Sequence, residues 1–161
     1  MPLNLKNKQE IITKIKNIAN SALSIVFASS QRVTGNDITE LRRLSRSNGV
    51  HISIIRNTLL NLAIKDTSFQ CIHNSLHGPN LIAFSLEHAG SAARLLKEFS
   101  KTHKNFKITG GIFEEKKLSI AQIYELADMP THNEAIIIFL SVIKEIAIGK
   151  LIRTLSAISN K

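Results

Sequence analysis

Three consecutive polar residues in the first third of the chain have the types and the spacing that bind a phosphate group. Arg56, Asn57 and Thr58 stand where the apolar run VHISIIR, residues 50–56, changes into the helical pattern TLLNLAIK, residues 58–65. A guanidinium, two polar side chains and the free N–H groups of a helix start could all reach one anion there. The alternative is that Asn57 or Thr58 caps the helix, which is a common role for these residue types.

Further cations of the first third extend this candidate phosphate site. Lys6 and Lys8 open a predicted first helix, and Arg32 lies in the loop SSQRVTG after the first predicted strand. Three arginines share one face of the second predicted helix, because residues three or four apart are neighbours on a helix surface. The alternative for these arginines is a solvated helix face in which Glu40 pairs locally. The candidate phosphate contacts are Lys6, Lys8, Arg32, Arg42, Arg43, Arg46, Arg56, Asn57 and Thr58.

The excess of positive charge is concentrated in the same part of the chain. The net charge is +9, and residues 1–66 hold ten Lys and Arg against four Asp and Glu, a net of +6. Residues 67–130 have a net charge of +1 and residues 131–161 a net charge of +2. This distribution favours a polyanionic partner bound by the first third. Aromatic residues are 5% and tryptophan is absent, which disfavours stacking on single strands and favours folded RNA contacted through its backbone and shape.

No residue set has the spacing of an active site or a metal site. The sequence lacks the motifs G-x-x-x-x-G-K-[ST], G-x-G-x-x-G and G-x-S-x-G. His73 and His77 are four residues apart near Cys71, but Gly78 and Pro79 end any helix there and a fourth ligand is missing. We therefore predict no catalytic residue, no metal and no cofactor. The rival prediction from another class is an α/β enzyme acting on a phosphorylated small molecule.

Hydrophobic periodicity and turn residues predict an α/β fold, a small sheet packed with helices. Thr34 with Asp37 and Ser119 with Gln122 have the spacing of capping boxes that begin helices. Asn48–Gly49 predicts a helix end, and Gly110–Gly111 predicts a bulge or bend within a strand. The predicted strands are 23–28, 50–56, 80–85 and 106–113, and the predicted helices are 5–19, 34–47, 58–65, 68–74, 89–101 and 119–129.

Residues 133–158 predict one long C-terminal α-helix with more apolar surface than a single domain can cover. At about 1.5 Å per residue the helix is roughly 39 Å long, so part of it should project from the domain. An exposed apolar helix of this kind needs the helices of a partner to cover it. The alternatives are a helix folded back on its own core and a self-associating protein. One apolar stripe is Ile136, Leu140, Ile143, Ala147, Leu151, Leu155 and Ile158, and a second is Phe139, Val142, Ile146 and Ile152.

The sequence also predicts a cytoplasmic protein without membrane contact. Cys71 is the only cysteine, so no internal disulfide can form, which fits a reducing compartment. The start MPLNLKNKQEII has no apolar block of a signal peptide, and no run reaches about 18 apolar residues.

Several stretches, in order and over nearly the whole length, resemble the bacterial ribosomal protein L-ten family, which forms the base of the large-subunit stalk. The most specific are RNTL at the strand-to-helix junction and the strand GPNLIA. The other matching stretches are LNLKNKQ, VTGNDITELRRLSRSNGV, IIRNTLLNLAI, FSLEHAGSAARLLKEF, MPTHNEA and GKLIRTLSAI. The chain departs from the family at Arg32, where a glycine usually precedes the Val-Thr of that loop, and it has Arg56 where the family has a junction lysine.

The resemblance implies a structural protein of the ribosome with two functional parts. Its N-terminal domain would bind large-subunit rRNA in the GTPase-associated region, beside a neighbouring ribosomal protein at the stalk base. Its C-terminal helix would carry dimers of the acidic stalk protein, L-seven/L-twelve, which recruit translational GTPases. We accordingly predict an α/β rRNA-binding domain at 1–130, a hinge at 131–133 and a partner-binding helix at 134–161.

Pro130 and Gly149 are the predicted hinge residues. Gly149 lies within the long helix, where glycine is about 1 kcal/mol less favourable than alanine. We predict that it marks a bend between two docking segments, 134–147 and 150–160, and hence that two stalk-protein dimers bind. The residues predicted to contact partner helices are Ile136, Phe139, Leu140, Ile143, Ala147, Leu151, Ile152, Leu155 and Ile158.

Overall fold

The chain divides into two compact units, Met1–Met129 and Pro130–Lys161. A computed structural model describes residues 5–31, 33–65, 67, 69, 78–103 and 106–159. The predicted helix at 68–74 lies outside the described residues except for Phe69, and the candidate metal ligands Cys71, His73 and His77 and the cation Arg32 lie outside them as well.

The first unit contains a five-stranded sheet in which every pair of neighbouring strands is antiparallel. The strand order is β2-β3-β1-β4-β5. The predicted strands are confirmed, but β2 ends two residues earlier than expected, and a short fifth strand that was not predicted follows β4 after a turn. The turn is Glu114–Glu115, where both residues have positive φ angles, 49° and 64°. The strands are β1 Ser24–Ser29, β2 Val50–Ile54, β3 Asn80–Ser85, β4 Lys107–Phe113 and β5 Lys116–Leu118.

The helices of this unit begin where the capping patterns predict. Thr34 and Asp37 form a capping box at the start of the second helix, and Ser119 and Gln122 form one at the start of the fifth. Gly49 ends the second helix with a φ of 62°, as Asn48–Gly49 indicated. The helices are α1 Leu5–Ser21, α2 Gly35–Ser47, α3 Asn57–Ile64, α4 Ser91–Thr102 and α5 Ile120–Asp128.

Helices cover both faces of the sheet, so the central strands are buried on both sides. On one face, Leu41 of α2, Leu96 of α4 and Ile123 of α5 pack in one cluster with the strands. On the other face, Ile15 of α1 and Leu60 of α3 pack in a second cluster. Full burial of each large apolar side chain stabilises the fold by about 1.5–3 kcal/mol. This double burial is the reason that the four interior positions of β1 and of β3 are all apolar.

The predicted irregularity at Gly110–Gly111 is a β-bulge. In the β1–β4 ladder, Phe27 faces Gly110 and Ala28 faces Ile108, so Thr109 is the extra residue. A Cβ atom on Gly111 would lie 3.0 Å from the backbone oxygen of Ile25. Glycine therefore lets the two strands approach closely at the bulge.

The second unit is the predicted long C-terminal helix, and one of its turns is π-helical. It consists of α6, His132–Lys144, the π-helical turn Glu145–Gly149, and α7, Lys150–Ser159. Thr131 caps α6 in a capping box with Glu134. None of the residues of α6 is buried. Among the described residues, no helix is both long enough and apolar enough to cross a bilayer.

We predict that Gly90→Ala destabilises the first unit. A Cβ atom at Gly90, which precedes α4, would lie 2.7 Å from the backbone oxygen of Leu126 in α5, and backbone cannot move aside as a side chain can. The expected loss in the free energy of unfolding is about 1–3 kcal/mol, measured by urea denaturation. Gly35→Ala is the matched control, because a Cβ atom there meets nothing within 4 Å. Equal midpoints for both variants would contradict the close packing of α4 on α5.

Candidate functional sites

The sheet topology brings the predicted phosphate-binding segments to one end of the sheet. Strands β1 and β2 both pair antiparallel with β3, which lies between them, so β1 and β2 run in the same direction. Ser29 at the end of β1 faces Asn80, and Ile54 at the end of β2 faces Leu81. The loop that follows β1 and the β2–α3 junction therefore leave the sheet at the same end.

The segment Gly78–Pro79 connects these two loops. The Asn57 side-chain amide donates to the Gly78 carbonyl oxygen at 3.0 Å. The backbone N–H and the hydroxyl of Ser30 both donate to the Pro79 carbonyl oxygen, at 3.1 and 3.0 Å. Gly78 has a φ of 76°, which a residue other than glycine rarely adopts. These bonds fix the β2–α3 junction against the start of β3.

Arg56, rather than Asn57 or Thr58, occupies the N-cap position of α3. The Arg56 side chain makes no capping hydrogen bond and is exposed. Thr58 is also exposed, whereas Asn57 is half-buried against Gly78. The capping alternative is thus wrong about which residue occupies the cap. The junction presents a solvent-facing guanidinium beside the first turn of an eight-residue helix.

A second group of cations lies along the free edge of the sheet. A surface cavity of about 490 Å³, here called the β2-edge groove, follows β2, which is the outermost strand on its side. Arg42 and Arg46 of α2, four residues apart, both line it. The lining residues are Ile11, Arg42, Ser45, Arg46, Val50, His51, Ile52, Ser53, Ile54 and Ile55.

The β2-edge groove leads towards Arg56. Its lining ends at Ile55, the residue before Arg56. Helix α2 packs against β2 and is joined to it by the turn Asn48–Gly49, so the two elements run in opposite directions and Arg42 lies nearer the Arg56 end than Arg46 does. Three predicted arginines therefore follow one strand, whose five residues span about 17 Å.

The other predicted cations are placed differently. Lys8 lies three residues before the groove-lining Ile11, hence on the same side of α1. Lys6 and Arg43 are exposed and do not line the groove.

His51 adds a titratable group to the β2-edge groove. Its Nε2 atom lies 2.8 Å from the Ser53 hydroxyl oxygen. Partial burial lowers the pKa of His51 from its ordinary value, because desolvation disfavours the protonated ring. The groove is thus lined by two arginine cations, one imidazole and two serine hydroxyls, those of Ser45 and Ser53.

Sequence reasoning missed His51 and Ser53, which line the β2-edge groove, and Lys107, which lies at the same end of the sheet as Arg56. Lys107 begins β4 opposite Ser29 at the Arg56 end of the sheet and is exposed. The alternation of apolar and polar residues in VHISI, residues 50–54, indicated that His51 and Ser53 share one side of the strand. Nothing in the sequence showed that β2 is an edge strand.

The second unit presents the predicted apolar residues to solvent. The exposed fractions of Phe139 and Leu140 in α6 are 63% and 57%, and those of Leu155 and Ile158 in α7 are 57% and 72%. Ile136, Ile143 and Ile152 are also exposed. Ala147 and Leu151 lie in the helix, but their side chains are outside the described part of the structure.

The first unit is a basic α/β unit with a cationic groove, and the second is a helix with exposed apolar side chains. This combination is typical of a structural protein that assembles with other macromolecules. Residues 3–101 match the family model of Ribosomal protein L10. The chain belongs to this family, whose members are structural proteins of the ribosome, and the enzyme alternative is thereby excluded.

Similarity to curated relatives extends over the full chain. Large ribosomal subunit protein uL10 of Buchnera aphidicola subsp. Baizongia pistaciae is 52% identical over 163 residues, which cover 99% of this chain and 97% of the relative. The uL10 protein of Buchnera aphidicola subsp. Schizaphis graminum is 53% identical, with 100% and 98% covered. That of Erwinia tasmaniensis is 45% identical, with 100% and 96% covered.

Proposed function

We propose that this protein forms the base of the stalk of the large ribosomal subunit in the cytoplasm. Its first unit binds rRNA of the GTPase-associated region beside a neighbouring ribosomal protein, and its C-terminal helix carries two dimers of the acidic stalk protein L-seven/L-twelve. The observation that carries the proposal is the row of exposed apolar side chains along α6 and α7, in a chain similar to a uL10 protein over 99% of its residues.

The cations along β2 support the rRNA contact. Arg42, Arg46 and Arg56 present guanidinium groups in a row, and guanidinium groups bind phosphate oxygens in a bidentate manner. The first unit offers no set of exposed aromatic rings on which bases could stack among the residues described, since Phe27, Phe84, Phe99 and Phe106 are buried. The mode of rRNA binding that remains is contact with the charged phosphates and with the shape of the RNA backbone.

The exposed helix supports the stalk-protein contact. Isoleucine, leucine, valine and phenylalanine side chains in α6 are each 44–66% exposed, which a free soluble protein seldom sustains over a continuous surface. Short amphipathic helices from a dimeric partner would bury these side chains in the helix-to-groove mode of recognition. The few charges of the segment give little electrostatic attraction, so apolar burial would supply most of the affinity.

We predict that Arg42→Ala, Arg46→Ala and Arg56→Ala each weaken rRNA binding and lower its salt dependence. Each lost phosphate contact reduces the slope of log K against log[salt] by about one unit, because one fewer counterion is released. The measurement is a binding titration with the rRNA fragment between about 50 and 200 mM salt. Lys116→Ala is the control of equal charge change, because Lys116 lies in β5 at the opposite edge of the sheet. An unchanged slope for all three arginine variants would place the RNA elsewhere.

We predict that removal of residues 130–161 abolishes stalk-protein binding and leaves rRNA affinity within about threefold of that of the full chain. The two buried clusters of the first unit are built by residues up to Ala127, so this unit should keep its fold. Circular dichroism and the rRNA titration check the fold and the affinity. Equal loss of both binding activities would contradict two separate binding units.

We predict that Leu140→Asp weakens binding of the stalk protein at least about tenfold, because docking would then bury an unpaired carboxylate. Ser141→Asp is the matched control, since it adds the same charge at the next position, roughly 100° further round the helix. Isothermal titration with purified stalk-protein dimers measures both. Similar losses for the two variants would show that Leu140 does not face the partner.

A further inference from the structure

The imidazole of His51 is held in place at the free edge of the sheet. His51 lines the β2-edge groove and is accessible to solvent. The Ser53 hydroxyl oxygen lies 2.8 Å from Nε2 of the ring, and the Phe84 ring of the neighbouring strand β3 lies 6.3 Å away, centroid to centroid. Because Ser53 engages Nε2, the ring nitrogen that can donate to a ligand is Nδ1.

The charged side chains that face this imidazole from the neighbouring helices are cations. Helix α2 contributes Arg42 and Arg46 to the lining of the groove. Helix α1 contributes Ile11, and Lys8 and Lys14 lie three residues before and after it on that side of the helix. Strand β3 adds only the uncharged Phe84 ring.

No carboxylate lines the groove among the residues that the structure describes. Glu10 and Glu40 lie within two residues of the lining residues Ile11 and Arg42, and residues so spaced point to different sides of a helix. Glu87 lies beyond the start of β2, where a Cβ atom at Gly49 would be 2.7 Å from its Cδ atom. The groove therefore provides no counter-ion for a protonated imidazole.

An anion in the groove would change the protonation of His51. In the free protein, partial burial lowers the pKa of the ring, and the groove has no negative charge that offsets this effect. A phosphate group bound by Arg42 and Arg46 brings a negative charge next to the ring, which favours its protonated form. A protonated ring in turn donates a charge-assisted hydrogen bond to the phosphate, which strengthens binding.

From this arrangement we propose that His51 binds an rRNA phosphate together with Arg42 and Arg46 and takes up a proton from solvent as the complex forms. The Nδ1–H group donates to a phosphate oxygen, and the Nε2–H group donates to the Ser53 hydroxyl oxygen. The inference rests on the proposed function, because the anion is the rRNA backbone. It adds a further binding residue and a dependence of rRNA affinity on pH.

The direction of this dependence follows from proton linkage. The pKa of His51 is higher in the complex than in the free protein, so the complex binds more protons wherever the two states differ. The affinity for rRNA therefore rises as the pH falls through the bound-state pKa, and it levels off below the free-state pKa. Uptake of a single proton limits the change to about tenfold per pH unit.

The variant His51→Gln tests the inference, because glutamine keeps a polar side chain that does not titrate. Titrations with the rRNA fragment at constant ionic strength are compared between about pH 6 and pH 8. We expect the unaltered chain to bind at least about threefold more tightly at the lower pH, and His51→Gln to lose most of this difference. Titration of the RNA itself affects all variants equally.

His88→Gln is the matched control. His88 is exposed and follows β3, whose last residue Ser85 faces Val50 at the end of the sheet opposite Arg56. This variant should keep the pH dependence of the unaltered chain. Isothermal titration in buffers of different ionisation enthalpy counts the protons taken up on binding. The count should fall in His51→Gln and stay unchanged in His88→Gln.

Failure of the proposed function and failure of this inference give different results. If the unaltered chain does not bind the rRNA fragment, or if all three arginine variants keep its salt dependence, the proposed rRNA contact is wrong and so is the role of His51. If the arginine variants weaken binding but His51→Gln keeps the pH dependence and the proton count of His88→Gln, only the role of His51 is overturned.

Discussion

The structure depends on the burial of apolar surface, and the two units meet this requirement differently. In the first unit, helices close both faces of the sheet, and the buried clusters among the described residues come entirely from positions up to Ala127. In the second unit, side chains such as Phe139 and Leu155 have comparable hydrophobicity but remain more than half exposed. Because the free energy of burial scales with area, this uncovered row is the strongest driving force for assembly that the chain retains.

The position of β2 at the edge of the sheet determines where cationic side chains can contact a polyanion. A strand in the middle of the sheet is covered by helices on both faces and by strands on both sides, so no cation beside it could meet a polyanion. Strand β2 has one free side, and α2 places Arg42 and Arg46 along it. The chain then turns into α3 at Arg56, which extends the same row. The antiparallel arrangement of β1, β3 and β2 brings the loop after β1 to that end as well.

The irregular backbone positions occur where two elements must meet in one particular geometry. Gly78 holds a positive φ where the Gly78–Pro79 segment receives hydrogen bonds from Asn57 and Ser30. Gly90 allows α4 to approach the backbone of α5. Gly149 leaves room for Glu145 beside a π-helical turn. At each of these positions a side chain would strain the backbone or displace a neighbouring atom. The glycine therefore determines how closely neighbouring segments approach, and not only the local backbone shape.

Local sequence determined the elements themselves, because their signals come from residues within a few positions of one another. The capping boxes at Thr34 and Ser119, the helix end at Gly49, the bulge beside Gly110 and the exposed apolar stripe from Ile136 onwards are all of this kind. Only the tertiary structure decided that β2 lies at an edge, that His51 lines the groove beside the arginines, and that Arg56 takes the cap of α3. Those outcomes depend on pairing between strands distant in sequence, which no periodicity encodes. The π-helical turn at Glu145–Gly149 is also of the second kind, because no spacing in the sequence indicates that this turn departs from the α-helical pattern.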